Sequence, residues 1–176
     1  MHETASMLQR PEYLHVVLNH LPVIGLAVAV VALVLALLSK SRGAVLGALV
    51  LVALVAASAW PVIQSGESAY NRLRAISDPD GASLLKQHML LADRWAWLYY
   101  LTALTAAAGA VLACRRPEKL RVAGIPVVVL ALASLMAGAA IAKLGGEVRH
   151  PEFRPGSALV PQGIPAGHNH EHEPEH

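Results

Sequence analysis

The chain has 176 residues, 55% of them hydrophobic and only 15% charged, with a formal net charge of +2 and a mean hydropathy of +0.48. So few charges among so much Ala, Val and Leu, arranged in long apolar blocks and not in amphipathic stripes, exclude an ordinary soluble domain. The basic residues stand at block ends instead of forming a patch interleaved with aromatics, which excludes a nucleic-acid partner, and the single cysteine, Cys114, excludes an intramolecular disulfide.

Four blocks, Leu14–Leu38, Ala44–Ile63, Trp95–Ala113 and Val122–Ala142, come close to the roughly 20 residues that a helix needs to cross a bilayer. They predict an all-α fold: a polytopic four-transmembrane-helix bundle over 1–152, followed by a disordered His-, Pro- and Gly-rich tail over 153–176.

The first block opens on Leu14-His15-Val16-Val17-Leu18-Asn19-His20-Leu21-Pro22. Polar side chains at the mouth of a span are costly unless they meet partners, so other helices are expected to bring polar groups to the same end. On a helix, His15 and Asn19 share a face, while His20 lies about 140° round from His15. Pro22 removes a backbone donor and predicts a local kink. Lys40 and Arg42 follow an apolar core too long for a signal peptide, so the first span is expected to stay as a helix.

Ser39 to Gly43 reads as a tight turn. The second block carries small residues, among them Gly43, Gly47, Ala56 and Ser58, which let backbones approach. Trp60-Pro61 marks its outer end, with Gln64 and Glu67 expected in the loop beyond. The composition turns polar from Ser68 to Ala82, with a turn at Ser77-Asp78-Pro79-Asp80-Gly81. From Ser83, the residues Leu84, His88, Leu91, Trp95 and Leu98 form one stripe at helical spacing, an amphipathic lead-in to the third span that buries His88 and leaves Lys86, Gln87 and Arg94 outside. The fourth span is expected to stop at Gly145-Gly146, with Pro151 holding His150 extended.

Short-loop charge sets the orientation. Lys40 and Arg42, then Arg115, Arg116, Lys119 and Arg121 against Glu118 alone, predict two cytoplasmic loops, with both termini in the periplasm of a bacterium and the protein in its inner membrane. Tyr13, Trp60, Trp95, Trp97, Tyr99 and Tyr100 gather at the opposite ends, as an interfacial belt should.

This topology collects His15, Asn19, His20, Gln64, Glu67, His88, Asp93, Glu147, Arg149 and His150 at one face. Imidazoles are the axial ligands of haem iron, and a helical bundle can hold the macrocycle. The first reading is therefore haem b, bound by His20 or His15 together with His88, with Asn19 orienting a ring and Arg149 meeting a propionate. A second reading is a Cu, Zn or Fe site drawn from His15, His20, Glu67, His88, Glu147 and His150, with the tail collecting metal. Either would place the protein in electron transfer with a quinone or a periplasmic redox partner. A third reading is an accessory or scaffold subunit of a membrane complex, its polar residues structural. No nucleophile is presented with the neighbours that hydrolysis requires.

The blocks His15-x-x-x-Asn19-His20-x-Pro22, Ser65-Gly66-Glu67-Ser68-Ala69, His88, and Gly145-Gly146-Glu147-Val148-Arg149-His150-Pro151-Glu152 together resemble an uncharacterised bacterial family of four-helix inner-membrane proteins. The resemblance runs from about Tyr13 to Glu152, and the last block is its most specific part. It implies a membrane location and an association with redox or haem chemistry, without an assigned activity. Where that family has an acidic residue after the third-helix histidine, Met89 stands here, which argues against carrying a metal role over to this position.

Overall fold

The computed structural model describes residues 9–156. The histidine-rich stretch expected to be disordered lies outside the described residues from 157 on.

Four helical rods are long and apolar enough to cross a membrane, covering Pro11–Ser39, Arg42–Ile76, Pro79–Arg115 and Pro117–Arg149. No strand occurs among the described residues. The first rod is interrupted: α1 (Pro11–Leu18) leads through a π-helical turn at Leu21–Gly25 into α2 (Leu26–Ser39). Pro22 lacks the N–H that would bond to the carbonyl of Leu18, and a π turn re-routes the ladder around that gap. The kink expected at Pro22 takes this form.

A tight turn follows, with Lys40 in the left-handed conformation (φ 53°) and the Ser41 hydroxyl capping Ala44 N–H. The second rod is α3 (Arg42–Ala57) and α4 (Ala59–Ile76), parted at Ser58. Pro61 explains the parting, because it has no N–H for the carbonyl of Ala57. Helix α4 also overturns the expectation of a loop after Trp60: Gln64, Glu67 and the polar run to Ile76 are helical. Nothing in Ser68–Arg74 breaks a helix, and the first true stop is Ser77-Asp78-Pro79, where Asp78 caps Gly81 N–H at 2.7 Å.

Helix α5 (Pro79–Arg115) runs unbroken for 37 residues, and α6 (Leu120–Arg149) follows a 3-10 turn at Pro117–Lys119. At 1.5 Å per residue α5 is about 55 Å long, against a hydrocarbon core of about 30 Å. One end of the bundle therefore stands clear of the lipid. The glycine pair at 145 and 146 was expected to end the fourth span, but α6 continues through it, because Glu147 beyond it is buried (5% exposed) and anchors the last turn.

The core is a seam of small and branched residues, with Leu26 and Leu33 from α2, Leu49 and Val52 from α3, Ala106 from α5 and Val127 and Ala131 from α6. Val28, Val31, Leu54, Leu104, Val129 and Met136 face outward, as lipid-solvated helices require. Lipid tails give helices no hydrophobic reason to associate, so close packing and buried hydrogen bonds must do it. One such bond joins α5 to α6, Thr102 Oγ1 to Ser134 Oγ at 2.9 Å with both residues fully buried. Tyr99 departs from the expected aromatic belt: it is buried at 4% exposure against Gly138, while Trp60 and Trp97 face outward.

Candidate functional site: a pair of clamped histidines

At the end of the bundle away from the basic turns, α1 packs on α4 and α5 packs on α6. Each pairing holds one histidine in the same way. His15 Nδ1 donates to the carbonyl of Val62 at 2.9 Å, and His88 Nδ1 donates to the carbonyl of Ile141 at 2.9 Å. A carbonyl only accepts, so in the neutral ring the proton sits on Nδ1 and the Nε2 lone pair is left available. Among the described residues neither Nε2 has a hydrogen-bond partner.

One helical turn beyond each accepting carbonyl stands a glycine that makes room for the ring. A Cβ at Gly66 would sit 3.0 Å from both Cε1 and Nδ1 of His15, and a Cβ at Gly145 would sit 3.1 Å from Cε1 of His88. A side chain at either position would press on the ring, which would have to give by a few tenths of an ångström. The two rings meet across the bundle, with centres 6.1 Å apart and planes at 88°.

Each hairpin is also tied at this end by an arginine and a carboxylate. Arg72 Nη1 meets Glu12 Oε1 at 2.9 Å in the first hairpin, and Arg154 Nη1 meets Asp78 Oδ2 at 2.6 Å in the second. Arg154 Nε further donates to the carbonyl of Glu147 at 2.9 Å, so ordered contacts reach past the 3-10 turn Pro151–Phe153. The Arg154 guanidinium, and after it the Gly81 N–H, hold the Asp78 carboxyl below its ordinary range. The other oxygen of Glu12, Oε2, is shut from solvent without a partner, one helical turn before His15.

The other residues expected at the site distribute differently. His20 is exposed and bonds through Nδ1 to Val16 in its own helix at 3.0 Å, so it is turned away from the pair. Asn19, expected to orient a ring, is half-buried at the end of α1, and the carbonyl of Val62 does the orienting instead. Glu67 is exposed beside Gln64 Nε2 at 3.4 Å. Glu147 is buried with Lys143 Nζ 3.8 Å away. Arg149 and His150 are exposed, and His150 pairs with Glu152 at 2.9 Å while stacking on Phe153. Among the described residues no group of three or more His, Cys, Asp or Glu side chains converges as a metal centre would. The assembly formed here is two histidines.

Sequence reasoning did not pick out Glu12, Gly66 and Gly145 as parts of this site, nor the carbonyls of Val62 and Ile141. The shared spacing of four between each carbonyl and its glycine, Val62 to Gly66 and Ile141 to Gly145, is the signal that points to them. No protein-family model, no curated protein and no solved structure matches this chain.

Proposed function

We propose that the protein binds haem b between His15 and His88 and transfers electrons across or along the membrane surface, exchanging them with a quinone or a periplasmic redox partner. The observation that carries this reading is the matched pair of clamps. A histidine that ligates a metal through Nε2 nearly always donates its Nδ1–H to a carboxylate, carbonyl or water, which fixes tautomer and ring plane. Both rings meet that requirement, and they do so at the same end of the bundle.

The proximity of the two rings supports it further: their centres lie 6.1 Å apart, so a haem held here would draw one imidazole from each clamped hairpin. Haem supplies reversible one-electron chemistry at a potential set by its axial ligands and surroundings. The chain's own part is to hold both imidazoles in one tautomer, keep Gly66 and Gly145 bare beneath them, and offer Arg149, exposed at the same end, to a propionate. The basic short loops support an inner-membrane orientation with the histidines toward the periplasm, and the likeness of the His15, Gly66 and Gly145 blocks to uncharacterised inner-membrane proteins agrees with this.

The test is the visible spectrum of the full chain, purified in detergent from cells supplied with haem precursor. A Soret band and split α/β bands on reduction are expected, abolished in His15→Ala and in His88→Ala and retained in His20→Ala. A colourless protein that takes up no added haemin would sink the proposal and favour an accessory subunit, and metal retained without haem would favour a bare ion between the rings.

A further inference from the structure

At the opposite end of the bundle, the turn after α2 and the start of α6 line a half-open cavity of about 410 Å³, whose walls include Lys40, Arg121 and Glu118. A second hollow of about 260 Å³ lies against it, lined only by Val34, Leu37, Leu38, Ile125, Val128 and Val129. Leu37 lines both, so the charged cavity and the apolar groove are neighbours along one seam between α2 and α6.

Leu37 is seated directly on the α6 backbone here, since a Cβ at Gly124 would fall 2.7 Å from Leu37 Cδ2. The groove faces the lipid, since Leu38 is 72% exposed and Val129 61%. Arg121 to Val129 is eight residues of helix, so the groove reaches about 12 Å below the cavity mouth.

We infer that this seam is a binding site for one anionic phospholipid, with the phosphate in the cavity between Lys40 and Arg121 and the first part of an acyl chain in the groove of α2 and α6. Charge complementarity selects the occupant. The two turns at this end carry Lys40, Arg42, Arg115, Arg116, Lys119 and Arg121 against the single acid Glu118. A guanidinium offers a forked pair of donors that fits a phosphate, and a basic pocket between transmembrane helices is a recurrent headgroup site. A soluble anion would use the cavity and leave the apolar groove idle. A lipid uses both. Glu118 opposes the phosphate charge but can accept from a hydroxyl, which favours a glycerol headgroup.

The experiment is native mass spectrometry of the delipidated full chain in detergent, offered phosphatidylglycerol or phosphatidylcholine of the same acyl chains. Phosphatidylglycerol is expected to be retained about tenfold better or more, from two cations near the headgroup. Lys40→Asn with Arg121→Gln should bring the two lipids level; asparagine tolerates the left-handed backbone at position 40. Val129→Trp, which fills the groove on a lipid-facing position and leaves both cations, should also lower retention. Equal retention of both lipids by the wild type, or unchanged preference in the double variant, overturns the site. Displacement of phosphatidylglycerol by millimolar inorganic phosphate identifies a soluble-anion pocket instead, and full retention in Val129→Trp removes the acyl groove.

Discussion

The two hairpins of this bundle build the same clamp from unlike helices. In the first, the rods are broken by a π turn at Leu21–Gly25 and by the parting at Ser58. In the second, α5 and α6 run 37 and 30 residues without interruption. Both nonetheless end with a histidine donating to a carbonyl, a bare glycine one turn on, and an arginine bound to a carboxylate at the start of the hairpin. The breaks follow from Pro22 and Pro61, each of which removes one ladder bond inside its span. The second hairpin has Pro79 and Pro117 at element starts, where no ladder bond is lost, and inside its helices only Pro126, close to the start of α6. The helices differ while the clamp stays the same, which marks the clamp as the arrangement the two hairpins share and the helix geometry as what accommodates it.

Equivalence of the two clamps is the part of this comparison most exposed to experiment. Gly66→Val and Gly145→Val should each destabilise the detergent-solubilised protein by about 1–3 kcal/mol through overpacking against the ring, and each should reduce haem uptake. Thermal unfolding monitored by circular dichroism checks it; if only one variant is affected, the hairpins are not functional equivalents.

A smaller effect sharpens where they differ. The Thr102–Ser134 bond belongs to the second hairpin alone, and a double-mutant cycle with Thr102→Ala and Ser134→Ala should return a coupling of about 0.6 kcal/mol. A coupling indistinguishable from zero would mean that packing alone holds α5 to α6.

The smallest effect concerns the tie at Asp78. Its folded pKa lies below the ordinary value of 3.8, chiefly because of Arg154, so its contribution is complete above that value and is lost as the pH falls through the depressed one. The melting temperatures of wild type and Asp78→Asn should differ at neutral pH, begin to approach one another as the pH drops toward 3.8, and converge only once it has fallen through the depressed folded value. A gap that persists unchanged into strong acid would show that the carboxylate charge is not what holds Arg154.

Much of the fold was legible because membrane spans announce themselves by length and apolarity, and all four spans appeared where the blocks stood. The extent of the helices beyond the lipid was not. Polar residues such as Gln64, Glu67 and Asn71 look like loop outside a span, but water and a neighbouring helix support them in a helix as well, and no local breaker intervenes before Ser77. The glycines at 145 and 146 misled for a related reason. The cost of glycine in a helix is only about 1 kcal/mol each, small enough for packing to override.

Composition, hydropathy and loop charge by themselves determined that this chain is a four-helix membrane protein with a mixture of histidines, carboxylates, cations and aromatics at one end and two short, almost purely basic turns at the other, since transfer free energy depends on residue type and not on partners. Which histidines meet was decided only in three dimensions. His15 and His20 are equally plausible on paper, and the choice between them turns on which side of α1 faces the carbonyl of Val62 and the bare backbone of Gly66, a fact set by how two hairpins pack and carried by neither segment alone.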